Sequence, residues 1–141
     1  MTVTSTPAFP QATNSGAATN TGLTTANTNY TTPTNSVTIF TAGANGSEVT
    51  NLGALVYATN TAATVDVFKK NASNYVFLGS VLIGANTVSA TVAKPAYSIP
   101  LFDGANVSKT NPIYLVSGDT LIATTSVTQS TFQPFAIGRD Y

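Results

Sequence analysis

At 141 residues the chain has the size of one domain with one core, and its 7% of charged residues is far below the roughly 25% usual in soluble domains. Five basic and five acidic residues cancel to a formal net charge of zero, which disfavours a surface that tracks phosphates. With neither Cys nor His present, disulfides, thiolate chemistry and the usual transition-metal donors are excluded.

Polarity is carried by Thr and Asn, which together with Val, Tyr and Phe suit pleated strands and the turns between them. Residues 1–35 hold no charge and only scattered large apolar side chains, so they cannot offset the entropy of ordering themselves alone. They read as an extended Thr/Asn-rich arm, serving either as a flexible tail or as a clasp that orders against another subunit. For the clasp, Phe9, Leu23 and Tyr30 are the candidate anchors, and Pro7, Pro10 and Pro33 keep the backbone extended. The opening MTVTSTPAFPQATNSG has no basic or apolar leader region, and no window approaches a membrane span, so the expectation is a protein made in a cytoplasm.

From Ser36 the apolar alternation begins, and the folded domain is expected over 36–141. Val37 to Phe40 reads as a strand, and Asn45-Gly46 as a hairpin turn into a long strand carrying Leu52, Ala54, Val56 and Ala58 on one face. Turns at Asn60-Thr61-Ala62 and at Asn71-Ala72-Ser73-Asn74 bound the strand of Val65 and Val67, and Tyr75 to Ile83 follows. That spacing predicts a β-meander, with Gly79 marking a bulge or bend in its last strand. Val88 to Val92 alternates weakly. Pro95 and Pro100 confine Ala96 to Ile99 to an edge or a crossover, and strands then recur at Ile113–Val116, Thr120–Ser126 and Phe132–Gly138. Turn signals fall at roughly the 8–12-residue spacing of a sandwich or barrel. The fold class is therefore all-β: about eight strands in a two-sheet antiparallel β-sandwich, with a jelly roll as the commonest solution for that count.

Nothing in the chain assembles a familiar catalytic set. Nucleophilic catalysis by Ser or Thr wants a His base, and Lys69, Lys70, Lys94 and Lys109 lie in or beside predicted turns, where a solvated ammonium keeps its proton. Asp103 and Asp119 flank turn glycines, where a carboxylate ordinarily accepts backbone N–H bonds. No catalytic residue, cofactor or metal is expected, and no nucleic acid or membrane partner.

Thr41 to Ser47 (T-A-G-x-N-G-S), the Val49/Leu52/Ala54 strand, the Ala58 to Ala62 turn and Val65-Asp66-Val67-Phe68 together resemble small virion structural proteins of tailed bacteriophages. The C-terminal half agrees, with Pro112-Ile113-Tyr114-Leu115 ahead of Gly118-Asp119-Thr120-Leu121 and the closing run Phe135 to Tyr141. In those proteins the end commonly reads A-x-G-G-D-[YF], and Arg139 stands here at the second Gly position. The resemblance spans Ser36 to Tyr141. It implies a head decoration or cement protein, a trimeric homo-oligomer bound to the major capsid protein on the virion surface. A head-fibre, neck or tail component, or a carbohydrate-binding adhesion module, are the alternatives.

Overall fold

The computed structural model describes residues 12–17 and 23–141. Among them lie nine strands and no helix: β1 (Ala12–Ala17), β2 (Val37–Thr41), β3 (Ser47–Val56), β4 (Ala63–Asn71), β5 (Asn74–Ile83), β6 (Ala96–Ser98), β7 (Ile113–Leu115), β8 (Asp119–Thr125) and β9 (Phe132–Asp140). They form two antiparallel sheets packed face to face, the sandwich expected from the pattern. Sheet A runs β1-β9-β3-β6, with β7 also pairing on β3, and sheet B runs β2-β8-β4-β5. The pairing is nested. β1 joins β9, β2 joins β8, β3 joins β6 and β7, and β4 joins β5.

Alternation decides what each strand buries. Val65 and Val67 of β4, Leu121 and Ala123 of β8, Val49, Leu52, Ala54 and Val56 of β3, and Phe132 and Ala136 of β9 meet between the sheets in one apolar cluster. Residues one step out of phase point to the outer faces. Thus Asp66 and Phe68 of β4 lie on the outer face of sheet B, opposite Ser80 and Phe77 of β5.

Two local expectations change. The Asn45-Gly46 turn is not a hairpin, because β2 and β3 belong to different sheets and the turn carries the chain over the end of the sandwich. Gly46 still supplies the left-handed conformation (φ 91°), and its N–H bonds the Gly43 carbonyl at 3.0 Å. The physical reason is burial: Ile39 and Phe40 gain more by facing Val49 and Leu52 across the core than by lying beside them. The meander shrinks likewise to the β4–β5 hairpin, since β3 and β4 are also in opposite sheets. Its two-residue loop holds Ala72 at φ 51°, and the ladder skips Leu78, beside Gly79, where the bulge was expected. Val88 to Val92 forms no strand.

The expected boundary at residue 36 moves as well. Residues 12–17 add β1 to the edge of sheet A, and Leu23 is fully buried in the core. Between Leu23 and β2 the chain forms a strap folded around Asn27. The Asn27 Oδ1 accepts from the N–H of Asn29 (3.1 Å) and of Thr34 (2.9 Å), and the Asn35 Nδ2 closes the loop on the Ala26 carbonyl at 2.9 Å. Neutral Thr and Asn side chains supply these bonds locally, which is how a segment so poor in apolar groups becomes ordered.

Candidate functional site

The strap positions the surface of interest. Asn27 N–H donates to the Thr125 carbonyl of β8 at 2.8 Å, which fixes the strap on sheet B and brings Tyr30 over its outer face. The Tyr30 ring lies 6.2 Å from that of Phe68, and Phe68 meets Phe77 edge-on at 5.3 Å. Beneath them Asp66 is only 2% exposed, and it accepts hydroxyl bonds from Ser80 (2.5 Å), Tyr30 (3.1 Å) and Thr64 (3.2 Å). Burial, then the charge of Asp66 and its bond, raises the Tyr30 phenol above its ordinary value, so Tyr30 stays a neutral donor. Along this face Tyr30 is 54% exposed, Phe77 41% and Leu82 69%. The face thus presents Tyr30 and Phe77 around Phe68, and Leu82 beyond Ser80 on β5, with Lys70 beside Tyr75 as the flanking charge.

Sheet A's outer face is organised by an ion pair. Glu48 accepts from Arg139 Nε and from the Tyr141 hydroxyl at 2.7 Å, bonds that hold its carboxyl below the usual range, Tyr141 having the larger effect. Arg139 is thus a partner for a nearly buried glutamate on the adjacent strand. Tyr114 stands opposite Glu48 on the other side and is well exposed.

The other carboxylates are engaged in bonds that hold strands and turns. Asp119 pairs with Lys69 at 3.0 Å and accepts from Asn71 (2.6 Å) and from the Val116 N–H (2.9 Å). Asp140 accepts from Ser47 at 2.5 Å and from Asn14 at 2.9 Å. Asp103 accepts the Ala105 N–H within its own turn at 2.9 Å. Lys69 and Lys70 lie near the end of β4, beside the turn that leads into β5.

Of the expected partner anchors, Phe9 lies outside the described residues. Leu23 is a core residue of its own sandwich and presents nothing to a partner. Tyr30 is half exposed and docks on Phe68 and Asp66, so it acts from the body of the domain and not from a free arm. Phe77 and Leu82 were not singled out from the sequence. The available signal was the composition of β5, whose ten residues include no charge and no proline. Among the described residues no group of three or more His, Cys, Asp or Glu gathers to hold a metal ion. What this arrangement offers chemically is adhesion, through exposed apolar groups set among hydroxyls and amides. Comparison with family models, with curated proteins and with solved structures gave no match.

Proposed function

We propose that the protein is a structural virion component of a tailed bacteriophage, a homotrimeric decoration protein that binds at junctions between major capsid protein subunits and stabilises the shell. The observation that carries this reading is the outer face of sheet B, where Tyr30, Phe77 and Leu82 are all exposed while Asp66 anchors Tyr30 and Ser80 between them. Exposed apolar rows mark contact surfaces, and Tyr is enriched where binding energy concentrates. Nested pairing of β1 with β9, β2 with β8, β3 with β6 and β7, and β4 with β5 supports a jelly roll, an architecture used in viral capsid proteins and lectins.

Contacts of about 800 Å² per partner, repeated over many copies, hold a shell against internal pressure even where each is weak. A surface poor in charge suits this role, because burying unpaired charge at a contact costs free energy. The test is sedimentation of the purified protein with decoration-free heads. Wild type co-sediments and raises the temperature at which heads disrupt; Leu82→Asp, at a site 69% exposed, binds about tenfold or more weakly with its own melting unchanged. Heads that neither bind wild type nor gain heat resistance overturn the reading, and retention on a glycan array would favour the carbohydrate-binding alternative.

A further inference from the structure

We propose that β1 is an exchangeable strand, and that in the self-associated protein the β1 of one copy pairs with the β9 edge of another. Strand β1 differs from every other strand in how it is held. Of its side chains from Ala12 to Gly16, none is buried and none joins the apolar core, whereas even the three-residue β6 packs Tyr97 against it. Its attachment is the six-residue ladder with β9, the close approach of Gly16 to Ile39 of β2, and one polar clamp. In that clamp Asn14 Nδ2 donates to both Asp140 oxygens, at 2.9 and 3.1 Å, and to the Thr41 carbonyl at 3.1 Å.

All of these bonds are re-formed when an identical strand arrives from a second copy, and β1 withdraws no side chain from Ala12 to Gly16 out of the apolar cluster when it leaves. Exchange is then close to neutral in contact energy, and concentration and reach decide it. The occupant is specified by fit. Gly16 lies so close to β2 that a Cβ on it would sit 2.0 Å from the Ile39 carbonyl oxygen, so the seat accepts a strand with glycine in that register. Asp140 at the same edge, accepting from Ser47, presents its carboxylate to a donor such as the Asn14 amide.

Residues 18–22 connect β1 to Leu23, which is pinned in the core. The six Cα steps from Ala17 to Leu23 reach about 20 Å at most, which restricts exchange to copies in direct contact. The inference takes only self-association from the proposed function, and its test uses the purified chain without heads, so either can fail while the other stands.

Ser15 and Ile137 are direct partners across β1 and β9, both side chains are exposed, and the chain has no native Cys. The experiment mixes isotopically heavy and light Ser15→Cys/Ile137→Cys protein, incubates it at high and low concentration, oxidises it and reads intact masses without reduction. Expected are disulfide-linked multimers containing both isotopes, rising with concentration and absent from either single-Cys variant. Disulfides formed only within single chains at every concentration overturn the proposal. Should the reduced double variant melt below wild type, a benzoylphenylalanine photo-crosslinker at the exposed Ser15, with β9 left native, puts the same question: crosslinks to Ile137 between heavy and light chains are expected, and crosslinks only within single chains overturn the proposal.

Discussion

Asp119 opens β8 with a side chain 1% exposed, facing the Lys69 ammonium. Burial pushes its carboxyl up, and the bonds from Asn71, Lys69 and the Val116 N–H more than reverse this, leaving it below the ordinary carboxylate range. Asp140, held chiefly by Ser47 and then Asn14, and Glu48, held chiefly by Tyr141 and then Arg139, are lowered too. All three bind a proton less readily folded than unfolded. Their contribution is therefore complete above the unfolded values near 4 and lost as pH falls through the folded ones. Melting temperature should be flat from neutral pH down to about pH 5 and drop steeply below about 4. Asp119→Ala should cost about 2–4 kcal/mol at neutral pH, because it strands Asn71 and the Val116 N–H, and should make the acid drop shallower. Denaturant titrations at pH 7 and pH 3 check both, and an unchanged pH profile in the variant would show that Asp119 is not a source of the acid sensitivity.

At the scale of elements, the strands with strong alternation were legible and their partners were not. Val65, Val67, Leu121 and Ala123 declare a buried face, but period two says only which side is inward, not which strand lies alongside. Hence Asn45-Gly46 suggested a hairpin, whereas the chain crosses between sheets there. Strand β1 was invisible because ATNSGA has no apolar alternation and is held by backbone bonds and Asn14. The strap was hidden for a related reason, since its order comes from Asn and Thr side chains bonding nearby backbone. Of the exposed apolar residues on the outer face of sheet B, only Tyr30 was foreseen, and as part of an arm. Gly79 was legible, and the structure shows what it does: a Cβ there would lie 2.0 Å from the Pro100 carbonyl oxygen, where the segment before Phe102 crosses β5. Gly79→Ala should thus cost about 1–3 kcal/mol by pushing that crossing off the edge. Gly84→Ala, with open space around it, is the control and should be near neutral. Equal melting of the two variants would mean that the crossing gives way without cost.

The whole molecule is a sandwich of which residues 12–17 and 23–35 are part. Leu23 fills the core, Pro33 is buried, and Tyr30 covers Phe68 and Asp66, so residues 23–35 complete the core and cap part of the outer face of sheet B. Losing Leu23 alone leaves a cavity worth about 2–5 kcal/mol, a large share of the roughly 5–15 kcal/mol that holds a domain together. Removing the strap would also leave the Asp66 carboxylate without its Tyr30 donor and uncover Phe68. Deletion of residues 1–35 should accordingly give protein that is unfolded or melts at least about 10 °C lower, although the segment is the least apolar of the chain. Thermal denaturation followed by circular dichroism measures the loss. A 36–141 fragment melting with wild-type cooperativity at the wild-type temperature would show that the two sheets are self-sufficient, and that the strap rides on a core complete without Leu23.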